Sequence, residues 1–367
     1  MNEQATLELT TAAPLQPADP VEAVGFQIGW DHAHHGLVPP PELLLDGTPL
    51  GQGWRAGKAV FGRRTLASGR ATRQWLSLRT LAWRLGLVFE SQQVTAHYIA
   101  QIQTERCPVT RTSLGGAADE PTAAVIERLN PHAGYAAGNL AFLSQRAVSA
   151  RREVDILEAM RRARRATASG EAVQGLDAGA WWRLATLRAF ATPLPFHEAV
   201  RLPLAVLPPN RVRLLNAAQG LQALLTMQFL SPGWSARTRE LAAMLPEHTL
   251  RHDFNLFIGA IAPRVVEAGD DPAKLRQALE DAWLNERVMR RWQHFALALG
   301  EAGTESLLER AAAAGLSGVR TLTHEPEQAT EGWALPQGGR VARMLETHSH
   351  ALWRQARGGE RRLRAAR

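Results

Sequence analysis

Apolar residues recur at helical spacing between Thr72 and Gly86: Trp75, Leu78, Leu81, Ala82 and Leu85. The stripe predicts an amphipathic helix stopped by Gly86, a residue suited to the left-handed C-terminal position. Arg73, Arg79 and Arg84 lie mostly off the stripe. A second helix is predicted from Ser91, as N-cap, through Arg106, with Val94, Tyr98 and Ile102 on one face. Cys107-Pro108 ends it. The pattern then changes. VIERL (125–129) reads as a strand, NPHAGYAAG (130–138) as a turn-rich loop and NLAFL (139–143) as a second short strand. Ser144 can cap a long helix from Gln145 to about Thr167. From Trp181 onward the pattern is helical and punctuated by prolines. Asp271-Pro272 forms a cap and first turn.

The rest of the chain is less periodic. Residues 1–20 are polar and read as a disordered N-terminus. Residues 21–70 are rich in Gly and Pro, which predicts turns and short strands wrapped on the next module rather than helix. Residues 168–180 are rich in Gly, Ala and Ser and read as a linker. The predicted organisation is a helical lead-in plus a ββα module over 71–167, an all-α domain over 181–355 and a basic tail over 356–367. The fold class is therefore mainly α with a small α+β module, followed by a separate all-α domain.

The composition narrows the function classes. The single cysteine excludes an internal disulfide and a multi-cysteine zinc site, so no structural zinc is expected. No apolar run is long enough to cross a bilayer, and the polar, acidic N-terminus lacks the pattern of a secretory signal. A cytoplasmic location without a membrane partner is the expectation. The net charge is +7, and Lys58 and Lys274 are the only lysines among 42 basic residues. GC-rich coding accounts for most of that Arg bias, while the positive sign fits an anionic partner such as DNA or another nucleic acid.

The stretch 107–152 carries the candidate chemistry. Its runs CPVTRTSL, IERLNP, GYAAGNL and LSQRAVSAR, in that order and spacing, resemble HNH-type (ββα-metal) endonucleases, in particular the phage-type members that lack zinc cysteines. The resemblance implies a divalent ion, Mg²⁺ or Mn²⁺ if the site is active, held between hairpin and helix and gripping the scissile phosphate. It places Glu127 at the metal-binding carboxylate. Arg128 stands where the wider family has its general-base His, although phage-type relatives also carry Arg. Asn139 matches the Asn that ties hairpin to helix, and Arg151 replaces a basic residue near the phosphate. Val148 stands where the helix should supply a metal ligand, and valine has no donor atom. Arg cannot take a proton near neutral pH, which leaves the loop residue His132 as the available replacement base.

Further candidates are weighed beside these. Arg146, Arg151, Arg152, Arg161 and Arg165, with Arg162 and Arg164, suit phosphate tracking along the helix after the hairpin; capping the helix dipole explains some of them equally well. Asp31, His32, His34 and His35 form the sole His cluster, in which His32 and His34 would share a face if the segment is extended. Cys107 reads as a small buried residue rather than a nucleophile. The Trp residues of the C-terminal half read as core anchors with Arg covering their edges. Three functional readings follow. The first is a nucleic-acid-binding protein of HNH descent without nuclease activity. The others are an active metal-dependent DNA endonuclease, and a protein-interaction module in which the ββα unit is scaffold and the helical half meets a partner.

Overall fold

A computed structural model describes residues 20–151, 154–269, 271–316 and 329–335. The predicted N-terminal disorder and basic tail, and Arg152, lie outside the described residues. The described residues are mainly helical with one small antiparallel sheet, as expected. Helices α1 (Pro20–His34), α2 (Pro49–Phe61), α3 (Arg70–Arg84) and α4 (Ala96–Ile102) precede strands β1 (Ala124–Arg128) and β2 (Leu140–Ser144). Then follow α5 (Gln145–Ala150), α6 (Ile156–Ser169), α7 (Ala178–Phe190), α8 (Phe196–Ala199), α9 (Ala217–Gln228) and α10 (Trp234–Ala243). The series ends with α11 (His248–Ile261), α12 (Pro263–Ala268), α13 (Pro272–Ala282) and α14 (Glu286–Ala313), which kinks at Gly300. No helix among the described residues is long and apolar enough to cross a membrane. The described residues up to Phe89, with Thr95–Ile99, form one compact unit; Glu90–Val94 and the described residues from Ala100 onward form a second.

The first unit corrects the expectation for residues 21–70. Glycine costs about 1 kcal/mol relative to alanine inside a helix, so a Gly-rich stretch argues against one. Here the glycines instead let two helices touch. A Cβ built on Gly29 would lie 1.9 Å from the Leu50 carbonyl oxygen, and one on Gly53 would lie 1.9 Å from the Phe26 carbonyl oxygen. Backbone meets backbone across the α1–α2 pair at a distance that only glycine allows. Thr48 accepts the Gly51 N–H at 3.1 Å and Pro49 opens the first turn, so α2 has an ordinary helix start. In α3 the buried residues are Leu76, Leu78, Arg79, Thr80 and Ala82, whereas Leu81 and Leu85 of the predicted stripe are exposed. The stripe is displaced because Arg79 turns inward, pairing with Asp31 at 2.5 Å and lying over the Trp75 ring at 4.6 Å.

The helix expected from Ser91 to Arg106 is reduced to α4. Glu90 takes the N–H groups of Gln92 and Gln93 at 2.6 and 2.9 Å, which holds those residues in a turn. Thr95 caps the helix instead, through Tyr98 N–H at 3.2 Å. Val94, Tyr98 and Ile102 are buried, in line with their predicted shared face.

In the second unit β1 and β2 pair antiparallel, with Glu127 opposite Ala141 and Ile126 opposite Phe142. Each strand lies one residue from its predicted bounds. Ser144 caps α5 as expected, accepting the Ala147 N–H at 3.3 Å. The long helix expected over 145–167 is broken, because Asp155 starts a new one by accepting the Glu158 N–H at 2.6 Å. The linker expected at 168–180 is also corrected. Gly170 ends α6, Val173 and Leu176 bridge, and Asp177 caps α7. The Trp181 indole then donates to the Val173 carbonyl at 2.9 Å, fixing the turn against the core. One continuous apolar core runs from Cys107 and Leu143 through Trp283 to Trp333, so the helical half is not a separate domain. Trp181, Trp283, Trp292 and Trp333 are fully buried, and each indole N–H finds an acceptor: Val173 O, Thr226 Oγ1, Val200 O and Ala137 O, all within 3.0 Å.

Two glycine substitutions should move stability in opposite directions. Gly29→Ala should cost at least about 1–3 kcal/mol through backbone overlap. Gly259 lies inside α11 with open space where its Cβ would be, so Gly259→Ala should stabilise by up to about 1 kcal/mol. Chemical denaturation of both variants checks this, and a tolerated Gly29→Ala would remove the account of α1–α2 packing.

Candidate functional site

The loop that opens the site closes on itself. Cys107 N–H donates to Thr112 O at 2.9 Å, Arg111 N–H donates to Cys107 O at 2.8 Å, and Arg111 takes a left-handed φ of 58°. The Cys107 sulfur is buried and accepts the Ser144 N–H at 3.2 Å and the Thr110 N–H at 3.5 Å. It ties the opening loop to the end of β2, as a structural cysteine rather than a nucleophile.

The loop between the strands is organised by Asn139, which is fully buried. Its Oδ1 accepts the Asn130 N–H at 2.8 Å, and its Nδ2 donates to the carbonyls of Asn130 and Gly134, each at 3.1 Å. The resemblance gave this residue the task of tying hairpin to helix; in the structure it ties the loop across its own ends. Asn130 extends the tie by donating to Ala191 O at 3.0 Å. Gly138 has φ +89°, and the Arg213 stem lies where its Cβ would be, 2.4 Å away. Residues 133–144 are buried throughout. His132 is exposed on the loop, with only its backbone N–H engaged among the bonds described, to Asn130 Oδ1 at 3.0 Å.

Glu127 and Arg151 meet at the heart of the unit in a close ion pair with side chains 15% and 10% exposed. Arg151 Nη1 also donates to Arg128 O at 2.8 Å. The Arg128 guanidinium donates to Pro131 O and Ala133 O at 2.9 and 2.8 Å and lies over the Tyr135 ring. Arg188, from α7, adds a second buried guanidinium. Burial, and then repulsion from Arg151, holds its pKa down to about 10. Burial likewise lowers Arg151, outweighing the attraction of Glu127. Burial raises the Tyr135 phenol, with the Glu127 charge adding to it. Charge explains the arrangement: Glu127 is the internal counterion that allows Arg151 out of water.

These residues do not fit a divalent ion. The carboxylate is engaged by a guanidinium, Val148 packs its side chain against the apolar core, and Arg128 spends its donors on loop carbonyls. Among the described residues, no group of three or more His, Cys, Asp or Glu is placed to hold a metal. The placement of Arg151 near a phosphate is also corrected, since its head group is buried against Glu127 and Arg128. Arg146 is exposed and holds the Gly175 carbonyl at 2.7 Å. Arg161, Arg164 and Arg165 are exposed on α6. Glu158 pairs with Arg161 and Arg162, and the Arg162 hydrogen bond holds its carboxyl below the usual range. Sequence reasoning missed Tyr135 and Arg188, which reach the site from the loop and from a distant helix.

The His cluster does not converge. It occupies the end of α1, not an extended segment. His32 donates Nδ1–H to Ile28 O at 2.8 Å, while His34 stacks on Phe61 at 4.3 Å. Burial lowers the pKa of His32 and of His35.

No known protein family matches the chain, and no curated protein or solved structure is detectably similar to it.

Two outcomes follow from this geometry. Gly138→Ala should cost about 1–3 kcal/mol, from a strained φ and a displaced Arg213, measured by denaturant unfolding. The His32 site gives a pH dependence of defined sign. The unfolded chain protonates this His near pH 6.5, whereas the folded chain resists protonation to lower pH. Its contribution to stability is complete above that value and falls as pH drops from 6.5 toward the folded pKa. The thermal midpoint should therefore drop on acidification, and less so in His32→Gln.

Proposed function

We propose that this chain is a nucleic-acid-binding protein of HNH endonuclease descent whose ββα unit no longer cleaves. The observation that carries the reading is the buried Glu127–Arg151 pair, which commits the one candidate metal carboxylate to structure. The descent rests on the motif resemblance, with the strand–loop–strand–helix order of β1, β2 and α5 in support. The nucleic-acid part rests on charge. Arg161, Arg164 and Arg165 stand at i, i+3 and i+4 on α6, so they share one exposed face. A guanidinium row of this kind suits phosphates through bidentate contacts and reads no base edges. Binding is then electrostatic and sequence-tolerant, with DNA as the expected partner and the cytoplasm as the setting. Mg²⁺ and Mn²⁺ have no role in it.

Association with a labelled duplex should weaken steeply with salt. Each phosphate contact contributes roughly −0.9 to the slope of log K against log salt. Changing Arg161, Arg164 and Arg165 together to Glu should flatten the slope by about 3. Supercoiled plasmid should stay intact with Mg²⁺ or Mn²⁺. Salt-independent binding would remove the charge argument. Robust nicking that disappears in Glu127→Ala would establish the endonuclease reading instead, and His132→Ala would then test the loop base.

A further inference from the structure

The first unit keeps its rings toward solvent. Its interior is aliphatic, with Ile28, Leu50, Leu76 and Leu78 buried. None of the six Trp and Phe residues of α1, α2 and α3 is buried, and Phe26 is 38% exposed. The second unit does the opposite and encloses Trp181, Trp283, Trp292 and Trp333 completely. A large ring left partly in water forgoes stabilising burial, so a contiguous set of them marks a contact surface. These rings do touch in series. Centroids of Phe26 and Trp30 lie 6.4 Å apart, Trp30 and Phe61 5.1 Å, and Phe61 and His34 4.3 Å. His34, His35 and Trp75 continue the line at 5.5 and 6.4 Å.

Local sequence builds this line. Phe26, Trp30 and His34 recur at i, i+4 and i+8, so they share one side of α1. Gly53 and Gly57 let α2 lie against the α1 backbone, and Phe61, the last residue of α2, then meets Trp30 and His34. Arg64 N–H donates to Phe61 O and Leu66 N–H to His34 O, each at 2.8 Å, which holds the segment with Arg63 and Arg64 beside the rings. Charge in this unit is one-sided. Residues 20–89 carry eight Lys or Arg against four Asp or Glu. Asp31, Glu42 and Asp46 are taken by Arg79, Arg84 and Arg55. That leaves Glu22 against Lys58, Arg63, Arg64, Arg70 and Arg73, all exposed and without an ion pair among the described residues.

We propose that the ring line from Phe26 to Trp75 is a stacking platform for single-stranded nucleic acid. The occupant must answer two features at once, a run of flat ring faces and a surplus of positive charge beside it. A single strand answers both: its bases stack on the rings and its phosphates meet the arginines. Every base has a π-face, so the contact tolerates any sequence. A duplex covers its base faces by pairing and stacking, so the platform selects unpaired strands. The site is separate from the α6 arginines and stands or falls without them.

The test uses the full chain and a labelled oligo(dT) strand, followed by fluorescence anisotropy. Wild type should bind this strand at least about tenfold tighter than an abasic strand of the same length, which keeps the phosphates and lacks the bases. That comparison needs no variant to fold. Phe26→Ala should weaken oligo(dT) binding by roughly tenfold, and Phe26→Trp should retain it. Arg63→Glu with Arg64→Glu should weaken binding and flatten the salt slope by about 1.4, two phosphates at roughly 0.7 each. Equal binding of the abasic strand, or unchanged binding in a Phe26→Ala protein with wild-type circular dichroism, makes the contact purely electrostatic and overturns the proposal. Binding lost on charge reversal of Arg161, Arg164 and Arg165 but not in Phe26→Ala would place the strand on α6, and also overturns it. Capture by anionic phosphatidylserine vesicles that requires Phe26, without oligo(dT) binding, would assign the rings to a lipid surface instead.

Discussion

The arrangement around the hairpin depends on one buried ion pair. Glu127 on β1 and Arg151 after α5 are both mostly out of water, and the carboxylate acts on the guanidiniums of Arg151 and Arg188. Removing one partner of such a pair is strongly destabilising, because the other charge is left buried alone. The pair therefore fixes more than itself. Arg151 holds the Arg128 carbonyl, Arg128 holds the loop carbonyls, and Arg188 reaches the Arg151 carbonyl at 3.5 Å. A carboxylate with this duty cannot also serve a metal without releasing Arg151 into a low-dielectric site.

Local chemistry was legible in the sequence at the hairpin, and less so at the helix starts, where Thr95 and Asp155 cap instead of the expected residues. The two strands lie within one residue of expectation, and the Ser144 cap follows from short-range pattern, whereas Asn139 was singled out for a tie to the helix and instead ties the loop across its own ends. The break before α6 was missed: Asp155 and Glu158 have the spacing of a helix start, but the apolar period was read straight across it. Long-range effects were not legible. Glycines at 29 and 53 read as helix breakers until a partner backbone lies 1.9 Å from their absent Cβ atoms. Arg79 displaces the α3 stripe because Asp31 awaits it across the fold. At the site, Glu127 was recognisable as a candidate ligand, whereas its neutralisation by Arg151 and the approach of Arg188 are facts of packing.

The hairpin and α5 form a closed structural unit rather than an open site. The end of its loop and all of β2, residues 133 to 144, are buried, and Trp333 bonds to the loop from nearly two hundred positions on. The exposed basic chemistry lies instead on α6. On the proposed reading, nucleic acid meets the α6 arginines, and the buried ion pair holds the hairpin in shape.

A double-mutant cycle on Glu127 and Arg151 tests this account most directly, using Glu127→Gln, Arg151→Leu and the double variant in denaturant unfolding. Each single change should destabilise by about 3–5 kcal/mol, and the double variant by roughly 2–3 kcal/mol less than their sum. Additivity to within about 0.5 kcal/mol would show that the two charges do not depend on each other, and would return Glu127 to the pool of possible metal ligands.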